Sequence, residues 1–427
     1  MNGQRVGLWT ASPGRPQTFR YDEAWLSSEA RRVLSLSLPF TVGNESLRGA
    51  AVEHYFENLL PDNEQIRRRI QSRFVTESGS TFDLLSAIGR DCVGAVQLLP
   101  VDQPHPDVKK ITSKRLNESG VARAIRSTLS TAGGLTAGEE DAFRFSIAGA
   151  QEKTALLYHR GSWCLPLGAT PTTHILKLPL GLVGGMAADM RDSVENEWLC
   201  HQILKGFGLP VAACEVASFE EHRVLVVERF DRAPASGWIA RLPQEDFCQA
   251  LGYAPSRKYE SDGGPGMPQI LRVLAGSSQA EIDRLNFVRA QLLFWVLAAT
   301  DGHAKNFSLF HERGGGYRLT PFYDVLSAWP IIGKGPDRLA WPKAKLAMAV
   351  RSKNAHWKLS EIQRRHWEHL GKQAGAANPA NWIDEIIDLA PRVIERVQAE
   401  LPKEFPAPLA DAIFSGMRTQ VMRLKSS

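Results

Sequence analysis

What the chain has little of bounds its class first. Its 427 residues include five cysteines. These are Cys92, Cys164, Cys200, Cys214 and Cys248, with no Cys-x-x-Cys pair and no histidine at metal-ligand spacing. That excludes a zinc ribbon or a disulfide framework and predicts a reduced, cytoplasmic protein with small buried thiols. No apolar run reaches membrane-spanning length, since the longest is broken by Gln291 and ends at Asp301. The N-terminus carries no basic-then-apolar signal. Repeats and low-complexity tracts are absent. Neither charge sign dominates: the formal net charge is +5, which permits an acidic partner or nucleic acid without requiring one. The length allows two or three domains.

What is present changes character along the chain. Residues 5–9 and 18–21 read as short strands, and Leu34-Ser35-Leu36-Ser37-Leu38 alternates strictly, as a half-buried strand ended by Pro39. Residues 51–60, 63–74 and 82–88 read as helices; the second carries Arg67, Arg68 and Arg69, a run expected to be a solvated face. Residues 94–99 read as a strand and 102–114 as a linker or surface loop. Strands are expected over 143–147, 154–158, 173–179 and 225–231, with a helix over 192–204. From Gln244 onward the patterns are mostly helical: 245–251, 267–274, 279–300, 359–374, 380–401 and 408–424. The chain is therefore α+β, with β-rich sequence first and α-rich sequence second.

The stretch with the most chemistry lies in the second part. An apolar helix runs into Asp301-Gly302-His303-Ala304-Lys305-Asn306, and two short strands around Gly314-Gly315-Gly316 lead to Asp324. A glycine-rich turn between strands returns the chain to its start, so Asp301, Asn306 and Asp324 are expected to converge. An aspartate, an asparagine five residues on and a second aspartate are what phosphoryl transfer needs: a base and two magnesium ligands. The same residue types also serve as plain turn formers. Upstream, Ala148-Gly149-Ala150-Gln151-Glu152-Lys153 joins two strands, and small residues there let backbone N–H groups approach a phosphate. One glycine makes this a weak signal, and a plain hairpin is the better reading of the stretch in isolation. Lys177 stands inside an apolar strand, a costly place for a charge unless it has a partner. Phosphates and a glutamate of the next helix, Glu195 or Glu197, would supply one. Leu225 to Asp231 is a buried strand that turns polar abruptly, as a hinge between lobes would, or as an edge strand with a polar exit. Glycine-containing turn, strand lysine and helix glutamate follow the order of a kinase N-lobe. The layout predicted is a two-lobed kinase-like fold.

The chain resembles the HipA family of bacterial kinase toxins. The resemblance covers nearly the whole length and rests on separated blocks in one order: Ser35-Leu36-Ser37-Leu38-Pro39, Asn58-Leu59-Leu60-Pro61-Asp62, Ile88-Gly89-Arg90-Asp91, Ser146 to Thr154, Pro171 to Ile175, Glu228 to Arg232, Arg241 to Asp246, Lys258 to Gly266, and the Asp301 and Asp324 loops. It implies an HipA N-terminal subdomain over 1–135, a kinase N-lobe over 136–243 and a helical C-lobe over 244–427. It implies ATP and Mg2+ as the reagents of a serine/threonine-protein kinase. Asp301 is then the catalytic base, Asn306 and Asp324 the metal ligands, and Lys177 the ATP lysine supported by Glu197. The phosphate loop is Ala148, Gly149, Ala150, Gln151 and Lys153. Backbone groups of Glu228 and Phe230 meet adenine, and Asp231 lies near the ribose. His303 and Asn306 join the ATP-contacting set, His303 as a hydrogen-bonding residue rather than a second base. Ser146 is an autophosphorylation site. The family's implied partners are a helix-turn-helix antitoxin like HipB, operator DNA reached through it, a second copy of the chain, and a protein substrate such as an aminoacyl-tRNA synthetase. There is no His-Arg-Asp or Asp-Phe-Gly sequence, so the likeness is to this family and not to eukaryotic protein kinases. A catalytically idle corepressor and a small-molecule phosphotransferase are the competing expectations.

Overall fold

The computed structural model describes residues 1–103, 107–129, 145–146, 149 and 151–426, the pair 145–146 by backbone alone. Helices and strands are mixed, as the α+β reading expects. Two compact units divide the chain: residues 1–178, 217–258 and 308–317 form the first, and 179–216, 259–307 and 318–427 the second.

The first unit begins with a three-stranded sheet ordered Gly7–Ser12, Arg15–Tyr21, Leu47–Arg48. The helices Ala50–Glu57, Glu64–Phe74 and Thr81–Ile88 follow. Asn63 starts the second of these because its side chain accepts from the Gln65 and Ile66 amides, satisfying N–H groups that no helical carbonyl can reach. The sheet holds Trp9 flat on Phe56, with ring centroids 3.9 Å apart. Beyond this layer, strands ordered His222–Glu228, His174–Lys177, Lys153–His159, Ser162–Pro166 and Ser113–Arg115 run side by side. Helix Glu118–Leu129 covers them, burying Val121 and Ile125 among Leu156, Leu176 and Val226. A two-residue parallel ladder, Asp91–Cys92 with Phe145–Ser146, links the N-terminal layer to the larger sheet's approach.

The second unit is helical around Ala280–Val296, whose Phe287, Phe294 and Trp295 are buried. Trp295 donates its indole N–H to the Leu359 carbonyl at 3.0 Å. Helices Arg364–Gln373, Pro379–Ala399 and Ala407–Ser426 complete this side. Among the described residues no helix is long and apolar enough to cross a membrane.

Two expectations fail for local reasons. Ser35 to Leu38 is a turn, not a strand. The Ser35 and Ser37 hydroxyls both donate to the Gln249 carbonyl, and such side-chain bonds compete with a ladder. Residues 94–99 form a turn and irregular chain: Gly94 has φ +73, and a Cβ there would sit 2.7 Å from the Gln244 carbonyl oxygen. Helix Glu118–Leu129 is an addition that the sequence reading did not contain. Residues 143, 144 and 147 of the expected strand lie outside the described residues.

Candidate active site

In the first unit, the phosphate-loop candidates gather around two lysines. The antiparallel ladder of Lys153–His159 with His174–Lys177 sets Lys153 directly opposite Lys177. Like charges across a ladder are unfavourable unless something anionic lies between them. Lys177 is buried. Lys153 lies over the loop glycine: a Cβ on Gly149, whose φ is +114, would meet the Lys153 ammonium nitrogen at 2.5 Å. Glycine is required there by its backbone angle, while the flexible end of Lys153 could yield to a side chain. The loop is tied at both sides. The Asp62 amide donates to the Gly149 carbonyl at 3.1 Å, and Gln151 donates its side-chain N–H to the Leu178 carbonyl at 2.5 Å. Ala148 and Ala150 lie outside the described residues. Ser146 is placed by its backbone alone, opposite Cys92.

The hinge candidates lie in the same unit. Glu228 ends its strand opposite His174, and the Arg229 amide donates to the Thr173 carbonyl at 2.9 Å. Phe230 meets Phe310 edge to face, with centroids 5.7 Å apart. Around them is a buried cluster that the sequence reading missed: Asp91 and Asp231 with Arg229, Arg232 and Arg241. Asp231 accepts from Arg229 at 2.9 and 3.0 Å and from the Gly94 amide at 2.7 Å. Asp91 accepts from Arg232 at 2.9 Å, Arg241 at 3.0 Å and the Thr172 hydroxyl at 2.7 Å. Burial alone would raise the Asp91 carboxyl, but Arg232, Arg241 and Arg229 outweigh it and hold it well below the usual carboxylate range. Burial, with Arg229 alongside, pushes Arg232 down to about 10. The carboxylate of Asp231 is thus taken up by Arg229 and the Gly94 amide.

The second unit carries the candidate catalytic loop. Helix Ala280–Val296 ends, Ala298 reverses the chain at φ +50, and Asp301 stands exposed. Gly302 is required because a Cβ would fall 2.6 Å from the Phe294 ring. A short 3-10 turn, Ala304–Asn306, follows. The Asn306 side chain works both ways: its carbonyl oxygen accepts from the His303 amide at 3.0 Å, and its N–H donates to Asp324 Oδ2 at 3.0 Å. Asp324 sits in the left-handed region at φ +62, a conformation uncommon outside glycine and concentrated at functional sites. Sequence reasoning therefore brought Asn306 and Asp324 together correctly. Asp324 offers a carboxylate, a hard donor that Mg2+ takes, and the Asn306 amide oxygen would join it by turning from the His303 amide; one or two such groups plus substrate phosphates suffice for that ion. Among the described residues no group of three or more His, Cys, Asp or Glu side chains forms a denser metal cage. His303 is buried and contributes its backbone amide to Asn306. Glu197 is buried on helix Ser193–Gly206, its carboxylate 3.9 Å from His201 Nε2.

Paired lysines over a glycine turn, and an aspartate loop ending in an Asn–Asp pair, are the equipment of a kinase. Comparison gives the family. Residues 1–99 match the HipA N-terminal domain and residues 145–401 the HipA-like C-terminal domain. The chain belongs to the HipA family and is a serine/threonine-protein kinase. It is 35% identical over 408 residues to the putative kinase Y4mE of Sinorhizobium fredii, covering 92% of this chain and 90% of that one. It is 30% identical over 290 residues to the serine/threonine-protein kinase toxin HipA of Shewanella oneidensis, covering 65% and 63%. The fold matches the Shewanella oneidensis HipA solved with HipB and operator DNA, at TM-score 0.78 and 23% identity over 99% of this chain and 95% of that one.

Proposed function

We propose that this chain transfers the γ-phosphoryl group of ATP to a serine or threonine hydroxyl of a cytoplasmic protein, as the growth-inhibiting toxin of a toxin–antitoxin pair. The observation that carries the reading is the Asn306–Asp324 pair following Asp301 in one loop system. Asp301 takes the hydroxyl proton as the oxygen bonds to phosphorus and the bridging β–γ bond breaks, releasing ADP. Asn306 and Asp324 would hold Mg2+, which supplies charge neutralisation for the phosphates when bound. Lys177 and Lys153, with the 148–151 backbone, take the phosphates. Backbone groups of Glu228 and Phe230 take adenine, with Asp231 fixing the hinge beside the ribose. Ser146 is the self-phosphorylated residue: a phosphoserine there adds about −1.5 to −2 charge next to a loop meant for ATP phosphates, and expels the loop. The partners are a HipB-like antitoxin, operator DNA reached through it, and a second copy of the chain. An aminoacyl-tRNA synthetase such as the glutamyl enzyme is the substrate class favoured.

The test is incubation with labelled ATP, Mg2+ and a bacterial lysate, followed by mass spectrometry. One labelled protein supports the toxin reading, while a labelled metabolite or no label replaces it with a small-molecule phosphotransferase or an idle corepressor. Absence of phosphate on Ser146 in the same sample removes the self-phosphorylation site.

A further inference from the structure

The segment Lys258 to Gly266 has no part in the roles above, yet it is built against the catalytic loop. Its Tyr259 donates its phenolic O–H to Asp301 Oδ1 at 2.5 Å. The same ring meets His303 edge to face, with centroids 5.0 Å apart and planes at 84°. Tyr259 is itself held by a rigid frame. Its carbonyl accepts the Asp262 amide at 3.1 Å and the Gly264 amide at 2.9 Å. The next residue, Glu260, accepts from the Ala349 amide at 2.6 Å and from the Arg351 guanidinium. Gly266 leaves room for that carboxylate, since a Cβ there would fall 2.6 Å from it. A strand-anchored loop therefore delivers one hydroxyl to one oxygen of the proposed base.

We propose that Tyr259 is a positioning residue for phosphoryl transfer. Its hydroxyl fixes the orientation of the Asp301 carboxylate through Oδ1 as it meets the substrate hydroxyl. A carboxylate has about four acceptor sites, so a donor on Oδ1 does not use up its capacity to take a proton. A hydrogen bond to an ionised oxygen is roughly twice as strong as a neutral one. It also removes the rotational freedom that an exposed aspartate would otherwise keep, and small misplacements of a reacting group cost rate steeply. This rests on the reading of Asp301 as the base.

The experiment is steady-state and single-turnover kinetics on Tyr259→Phe, Asp301→Asn and the double variant. Tyr259→Phe keeps the ring against His303 and removes the hydroxyl alone. Its kcat should fall roughly ten- to hundredfold, the loss of one charge-assisted hydrogen bond, with the KM for ATP, calorimetric ATP affinity and melting temperature unchanged. Acting through Asp301, it should add nothing in the double variant beyond the loss in Asp301→Asn, because residues of one unit are not additive. A wild-type or raised kcat in Tyr259→Phe overturns the proposal; a raised value would make the phenol a latch over the base. A loss that multiplies in the double variant overturns it as well. Near-wild-type activity in Asp301→Asn would instead sink the base assignment.

Discussion

Two clusters of aspartates lie in the chain, and they are used in opposite ways. Around the hinge, Asp91 and Asp231 are buried, each bound by arginines and by backbone or hydroxyl donors. In the catalytic loop, Asp301 is exposed, and the Asp324 carboxylate accepts from a neutral amide. Charges sealed among arginines cannot change partners without large cost, so the first cluster fixes geometry. Charges facing solvent or neutral donors can exchange partners with a proton, a metal ion or a substrate, which is what the proposed chemistry asks of the second. Sequence context does not distinguish them, since Asp231 and Asp301 both end apolar stretches.

The comparison can be broken experimentally, and the largest effect should come from the buried side. Asp91→Ala leaves Arg229, Arg232 and Arg241 with Asp231 as the cluster's remaining carboxylate; removing one partner of a buried pair typically costs about 3–5 kcal/mol. Chemical denaturation should show that loss, and a variant as stable as wild type would dissolve the distinction. Asp301→Asn is the mirror experiment: phosphorylation should fall roughly 10²-fold or more with the denaturation midpoint preserved. Lys177→Ala should weaken ATP binding by about tenfold, the scale of one lost charged contact, as read by calorimetry. Unchanged affinity would remove Lys177 from the nucleotide site.

Acid should separate the clusters too. The Asp91 and Asp231 carboxyls are held below their usual range by arginines, so the folded state binds their protons less readily than the unfolded chain does. Their stabilisation is complete above the ordinary carboxylate pKa, about 4, and is lost as the pH falls below it. Denaturation midpoints should therefore drop between about pH 4 and pH 2, more steeply in wild type than in Asp91→Asn. At the small end, Arg364 pairs with Glu368 and Asp384 at the surface of the second unit. Arg364→Ala should cost no more than about 1 kcal/mol, less at high salt.

What was legible in the sequence was local. Helix starts such as Asn63, the apolar helix before Asp301, and the Asn306–Asp324 pairing all follow from patterns within a few turns of chain. The Asp91 cluster was not legible, because its members come from separate segments. Tyr259 lies in a stretch shared with the family, yet nothing in Lys-Tyr-Glu-Ser-Asp indicates that the phenol reaches a residue forty-two positions away. The serines at 35 and 37 show the converse failure, where perfect alternation predicts a strand and two hydroxyl bonds to one carbonyl make a turn.

The ladder of Asp91–Cys92 with Phe145–Ser146 bears on how the molecule can be divided. Asp91 falls within the part matching the N-terminal family domain, and its three arginine partners fall within the part matching the C-terminal one. A chain cut between residues 99 and 145 would separate three guanidinium groups from one of their two carboxylates and strip the strand that borders Ser146. The N-terminal segment is thus a wall of the kinase and not a detachable neighbour. Mixing separately produced 1–99 and 100–427 halves should restore function only to the extent that this strand reinserts.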